Sequence, residues 1–345
     1  MRVRRKTVAA LAVTITALVA ITGLAGAGSA TTGQGQFVAG VVSDVGRFND
    51  KGFNQLSLQG CKSGAKKAGG TCRGLESRST SDYIPNFVRL QREGAEISIA
   101  TGFLLADATA TVAKRFSKSE FAIVDYSVKA APFANAKGKV LFKNVVGLTF
   151  ATNENSYMIG CLSALMARRD GGNTISAVGG LSLPTVTIFI AAYRAGASKC
   201  VPGTKTLIDF SQDFIDQAKC KELALNQIDR GSKVVFQVAG GCGLGAVDAA
   251  KEKGVWAIGV DKDQSFLGPH ILTSAVKRVD KAVEAAIFLA NLGTYPGGTD
   301  LTFNLRNKGV AIGKISPKVP RVFIAKMNAI GALILAGKIK PPTTL

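Results

Sequence analysis

The chain has 345 residues, 47% of them hydrophobic, which is more than one ordinary core needs and suggests two lobes. Its formal net charge is +20, yet Lys and Arg are scattered singly or in pairs such as Lys66-Lys67 and Arg168-Arg169. They are not interleaved with aromatics and no nucleic-acid motif is visible. The basic balance therefore points to an anionic lipid, wall-polymer or transporter surface rather than to nucleic acid.

The chain opens with a basic segment (Arg2, Arg4, Arg5, Lys6), an apolar run from Thr7 to about Gly23, and the small residues Ala25-Gly26-Ala27-Gly28-Ser29-Ala30. That pattern reads as an export signal over residues 1–30, cut after Ala27 or Ala30. A retained N-terminal anchor is the other reading. Leu24-Ala25-Gly26-Ala27 has Ala where a bacterial lipobox has Cys, so no thiol is offered for lipidation. The mature protein is expected outside the cytoplasm, with a net charge of about +16 once the four n-region cations are removed.

From Phe37 the chain alternates short apolar runs with helical stretches. Phe37 to Val42 is a buried strand run, followed by Ser43-Asp44-Val45-Gly46 and, after Asn49 to Asn54, a helix through about Ala68. Cys72 to Ser77, Glu96 to Thr101 and Phe121 to Val124 read as further strands, with helices over Ile84 to Glu93 and Ala106 to Phe116. Units at this spacing describe a doubly wound parallel sheet. A second set is read from Val145 onward, with strands at Val145 to Phe150, Ile175 to Gly180, Thr206 to Phe210 and Val234 to Val238. Ile271 to Ser274 is read as recrossing to the first lobe, Leu301 to Ile315 as a β-hairpin, and Val319 to Lys338 as the closing helix.

The run Ala239-Gly240-Gly241-Cys242-Gly243-Leu244-Gly245 follows a strand and opens a helix. Val255 to Val260 then ends in Asp261-Lys262-Asp263-Gln264. In open α/β sheets ligands sit beyond the carboxyl ends of strands, so the glycine loop and Asp261 are first-choice ligand residues. Gly241-x-Gly243-x-x-Ala246 with Asp261 twenty residues on matches a dinucleotide fingerprint. The same groups suit a sugar or any ribose-bearing ligand, and the bland reading is a tight turn plus a solvated acid. Export disfavours the cofactor. Catalysis finds no support either: Gly-x-Ser-x-Gly and a phosphate-cradling loop are absent, and a Ser-His-Asp triad would have to use His270, the one histidine. No cofactor is expected.

Six cysteines in an exported chain permit up to three disulfides, with 15 possible connectivities. None has CxxC spacing, which with one His disfavours zinc. Cys61 and Cys72 bracket a helix end and the next strand and could close a short loop. Cys200 and Cys220 are a weaker pair of the same kind, leaving Cys161 and Cys242 as buried thiols.

Ordered blocks across the mature chain resemble the BMP (basic membrane protein) family of ABC-transporter substrate-binding proteins. They are Ser43-Asp44-Val45-Gly46 with Asn49-Asp50-Lys51-Gly52-Phe53-Asn54-Gln55, Thr101-Gly102-Phe103, Phe121 to Asp125, Glu154 to Gly160, Ala239 to Gly243, and Ile258 to Gln264 with Thr273 to Lys277. The resemblance implies a type I periplasmic-binding-protein fold: two Rossmann-like lobes, each a doubly wound parallel sheet, joined by several hinge crossings. On that basis lobe 1 is expected to hold residues 31–145, about 268–300 and 325–345. Lobe 2 is expected to hold 146–267 and about 301–324.

The resemblance also implies a nucleoside ligand, an ABC permease and its ATPase subunits as partners, and a monomer. Phe53 resembles the aromatic on one face of the base and Phe214 its partner across the cleft. Asp50 and Asp125 match positions that address the base, and Gly240, Gly241, Asp261 and Lys277 the ribose side. Asp44, Asn49 and Asn54 complete the candidate set, although Asp44 and Asp50 also suit helix caps. Gly52 stands where the family usually has Ser, and Asp213-Phe214-Ile215 replaces a small-residue approach to the aromatic. Both departures bear on ligand identity rather than on fold.

Overall fold

The structure is a computed structural model that describes residues 36–345. The export signal read at residues 1–30 lies outside the described residues. Twelve strands and nine helices are found among the described residues, sorted into two six-stranded sheets.

In the first sheet, β1 (Val38–Val42), β2 (Thr71–Leu75), β3 (Ile97–Ala100), β4 (Glu120–Val124), β5 (Val145–Phe150) and β11 (Asp300–Phe303) run parallel in the order β11-β5-β4-β3-β1-β2. The central strands are continuous apolar runs because helices cover both faces. On one face lie α1 (Phe53–Lys67) and α8 (Val279–Asn291), and on the other α2 (Tyr83–Arg92) and α3 (Ala106–Arg115).

The second sheet contains β6 (Thr174–Gly179), β7 (Lys205–Phe210), β8 (Ser232–Val238), β9 (Trp256–Asp261), β10 (Ile271–Lys277) and β12 (Val310–Ile312), in the order β12-β10-β9-β8-β6-β7. Only β12 is antiparallel to its neighbour. One face carries α4 (Thr152–Arg169), α5 (Pro184–Cys200) and α9 (Arg321–Leu335), and the other α6 (Gln217–Asp229) and α7 (Gly243–Glu252). Helices α4 and α5 pack backbone to backbone. A Cβ on Gly160 would collide with the Tyr193 carbonyl, and one on Gly196 with that of Tyr157.

Three crossings join the lobes: β5 to α4, β10 to α8, and β11 to β12. Asn155 pins two of them, its Nδ2 donating to the carbonyls of Val276 and Ala311 at 2.9 Å each. The rings of Phe150 and Phe303 stack beside them at 5.2 Å.

These pairings correct the expected lobe boundaries. Val145–Phe150 belongs to the first sheet, because its register partner is β4. Ile271–Lys277 stays in the second sheet beside β9, and the crossing follows it. The expected hairpin between Leu301 and Ile315 is split: β11 pairs β5 in one lobe and β12 pairs β10 in the other. Helix α9 buries Met327, Ile330 and Ile334 in the second lobe's core, not the first.

The cysteines form three disulfides: Cys61–Cys72, Cys161–Cys200 and Cys220–Cys242. The first matches the sequence expectation. The Cys200–Cys220 pairing does not occur and Cys161 and Cys242 are not free, because helix packing brings together residues far apart in the chain. Trp256 opens β9 at the end remote from Asp261, and its Nε1 donates to Asp170 at 2.7 Å. No helix among the described residues is long and apolar enough to cross a membrane.

Candidate ligand-binding cleft

The carboxyl ends of both sheets face one another across a cleft, the place where ligands of open α/β sheets bind. The first lobe's share begins where β1 runs out. Asp44 Oδ1 accepts from the Gly46 N–H and from Asn54 Nδ2, both at 2.7 Å, and the Asp44 N–H donates to Asn54 Oδ1 at 3.0 Å. Asp44 Oδ2 has no hydrogen bond among the described residues. Burial pushes this carboxyl up to about 6, against the lowering pull of the Gly46 and Asn54 bonds and with the help of Asp50 and Asp261 nearby.

Asp50 behaves differently. It accepts from the N–H groups of Gly52 (3.0 Å), Asn54 (2.7 Å) and Gln55 (3.1 Å), and from Asn54 Nδ2 (3.0 Å). An ionised carboxylate has about four acceptor sites, and the start of α1 fills them. Asp50 lines the cleft but serves as a cap for α1, so the base-addressing role suggested by resemblance lacks a free oxygen to perform it. Asn49 is exposed and does not line the cleft.

Asp125 follows β4 and Asp261 ends β9, both with left-handed backbone (φ 59° and 63°), a conformation aspartate tolerates better than most residues. Between them stands Lys277, the last residue of β10. Its Nζ donates to Asp125 Oδ2 at 2.6 Å and lies 3.0 Å from Asp261 Oδ1. The second contact is close enough for an ion pair but lacks hydrogen-bond alignment, so Asp261 Oδ1 remains a buried acceptor without a hydrogen bond. Burial alone would lower the Lys277 ammonium, but Asp125 and Asp261 outweigh it and hold the pKa above the ordinary lysine value. The Nζ also sits 4.5 Å from the centroid of Phe53 and 5.5 Å from that of Phe189.

The second lobe supplies a glycine corner and an aromatic. Gly240 has φ 55°, and neither its N–H nor that of Gly241 has an acceptor among the described residues. Phe214 projects from the loop after β7, and its ring meets Phe103 of the first lobe edge-on at 6.1 Å. Thr185, Val186 and Phe189 from the start of α5, with Val238 and Val260, complete that wall. Two polar contacts fasten the rim between lobes: Lys262 Nζ to Gln55 Oε1 at 3.0 Å, and Gln264 Nε2 to the Lys51 carbonyl at 3.3 Å.

The cleft thus gathers Asp44, Asp50, Phe53, Asn54, Asp125, Phe214, Gly240, Gly241, Asp261 and Lys277, and leaves out Asn49. Sequence reasoning missed Phe103, Thr185 and Phe189 as lining residues. Phe103 follows Gly102 directly after a strand, the same strand-tip signal that marks Asp261.

The family model for ABC transporter substrate-binding proteins of the PnrA-like Bmp type matches residues 37–343. The chain belongs to the Bmp family. As a Bmp-family protein it is an ABC-transporter substrate-binding protein. It is 34% identical to the ABC transporter nucleoside-binding protein BmpA of Lactococcus lactis subsp. cremoris, over 88% of this chain and 90% of that one. It is 29% identical to the CD4+ T-cell-stimulating antigen of Listeria monocytogenes, over 89% and 88% of the two chains. Among solved structures, the ABC-transporter solute-binding protein of Aeropyrum pernix K1 superposes with a TM-score of 0.78. Identity there is 21%, covering 89% of this chain and 94% of the other. The Bmp chain has the type I periplasmic-binding-protein fold, two α/β lobes around a ligand cleft.

Proposed function

We propose that this protein is an extracytoplasmic receptor that takes a nucleoside, with a purine base, into the cleft and hands it to an ABC permease driven by its ATPase subunits. The cleft's chemical division carries the reading. Phe53, Phe103 and Phe214 offer ring faces and edges to a flat heterocycle, for which each stacked base is worth ~1–3 kcal/mol. Beside these rings stand two glycine N–H groups without acceptors, Asp261 Oδ1, which lacks a hydrogen bond, and the Lys277 ammonium. Donors and acceptors so close together suit the vicinal hydroxyls of a pentose. The Lactococcus relative, named a nucleoside-binding protein, supports the same ligand class.

The protein acts as a monomer, with no catalytic step, and meets the membrane through its transporter. Calorimetric titration with inosine, guanosine and adenosine is expected to show saturable binding and a raised melting temperature, with no response to free ribose. Binding of hexoses or ribose without nucleosides would make the protein a sugar receptor, and saturable NAD binding would return the dinucleotide reading.

A further inference from the structure

Phe214 lies on a segment with no regular structure, between the edge strand β7 and the start of α6, flanked by exposed Gln212, Ile215 and Asp216. Such a loop is a poor platform for a ring that must stand at a fixed place. Within its own lobe the loop is held by the Ser211 and Gln212 N–H groups, which donate to the Gly179 and Gly180 carbonyls, and by Asp213, which accepts from the Ile215 and Asp216 N–H groups. One residue of the glycine loop adds the tie to the Gly240-Gly241 corner. The Cys242 N–H donates to the Phe214 carbonyl at 2.9 Å, while the Cys242 sulfur is bonded to Cys220 in the first turn of α6. Cys242 also directly follows Gly240-Gly241, and a Cβ on Gly241 would stand 3.3 Å from the Phe214 carbonyl. Both sulfurs are inaccessible to solvent.

We propose that the Cys220–Cys242 disulfide is a positioning element of the ligand site, clamping the Phe214 loop to the Gly240-Gly241 corner so that both stand in binding geometry before a ligand arrives. The ring and the two free amides belong to different loops, and the bond fixes one against the other before binding. Ordering a wall in advance removes a cost that otherwise subtracts from affinity. The other two disulfides do something else. Cys61–Cys72 joins α1 to the edge strand β2, and Cys161–Cys200 joins α4 to α5. None of the six cysteines lines the cleft, but Cys242 alone adjoins a lining residue, Gly241.

The inference rests on the nucleoside reading for its affinity probe, so its test has an arm that needs no ligand. Amide hydrogen exchange is followed in the free wild-type protein, in C220A/C242A and in C61A/C72A. The Gln212 and Cys242 amides, which donate to the Gly180 and Phe214 carbonyls, are expected to be protected in free wild-type protein, to change little when inosine is added, and to exchange at least about tenfold faster in C220A/C242A only. Inosine affinity is expected to fall about tenfold in C220A/C242A through a faster off-rate and to be unchanged in C61A/C72A. Protection of the Gln212 and Cys242 amides that appears only on ligand addition to wild-type protein overturns the proposal, even if C220A/C242A fails to fold. Equal affinity losses in both variants also overturn it, since they would reflect global stability. If wild-type protein binds no nucleoside while the exchange pattern holds, the functional reading fails and the clamp stands.

Discussion

Lys277 closes a strand of the second lobe, yet its ammonium donates to Asp125 of the first lobe across 2.6 Å. The side chains are 4% and 12% exposed, so the closed cleft is joined at its back by an ion pair with little water to screen it. Asp261, 8% exposed, stands on the pair's other side. Removing the cation would leave two carboxylates facing one another in a dry pocket, a situation that costs about 3–5 kcal/mol when a buried pair is broken from one side.

Lys277→Met is therefore expected to favour the open form, in which the carboxylates can hydrate, and to weaken ligand binding by about a hundredfold or more. Small-angle scattering should show a larger radius of gyration than wild type. An unchanged radius together with unchanged affinity would remove the lobe-joining role.

The aromatic wall makes a separate prediction. Phe53→Ala and Phe214→Ala are each expected to lower nucleoside affinity by about tenfold or more, from the ~1–3 kcal/mol of a stacked base. Phe103→Ala should also weaken binding, because it removes the edge-on contact that Phe214 makes across the cleft. Titration calorimetry separates these effects from folding, which thermal melts report.

Asp44 predicts a pH dependence. Its carboxyl is raised from 3.8 to about 6 by burial, so the folded protein holds this proton more tightly than the unfolded chain does. The associated stability is fully present below about pH 4 and is lost as pH rises through about 6, to a total of about 3 kcal/mol for a shift of this size. Asp44→Asn keeps an oxygen for the Gly46 and Asn54 bonds and removes the charge. Urea denaturation should find this variant more stable than wild type at pH 7.5 and equal to it near pH 4. A variant less stable at pH 7.5 would show that the charge is not the source of strain.

Charge also bears on ligand choice. Asp44, Asp50, Asp125 and Asp261 line the cleft and Lys277 is its one lining cation. A 5′-phosphate would add about two negative charges to that set. Nucleoside monophosphates are expected to bind at least about a hundredfold more weakly than their nucleosides, which competition against a bound nucleoside would measure. Equal binding would mean that the phosphate finds a cationic outlet beyond these residues.

Much of the cleft was legible in the chain because parallel sheets place ligands at strand ends. That rule singles out Gly240, Gly241 and Asp261, whereas Phe214 came from the resemblance to the BMP family. Asp50 was harder, since a carboxylate that addresses a ligand and one that caps a helix occupy the same place before Gly52 and Phe53. Only the bonds to Gly52, Asn54 and Gln55 decide between them. Lobe boundaries were misplaced at β5 and β10 because apolar runs of similar length suit either sheet, and strand pairing is a long-range choice. Phe103 was passed over as part of a motif, although its position after β3 carried the same strand-end signal as Asp261.

Trp256, the chain's single tryptophan, has a practical consequence. It stands at the start of β9, roughly 17 Å along the strand from Asp261, with its indole tied to Asp170. Its emission therefore reports whether the second lobe is intact and should be nearly silent when the cleft fills. Fluorescence assays of this receptor need a dye near the rim rather than the indole it was born with.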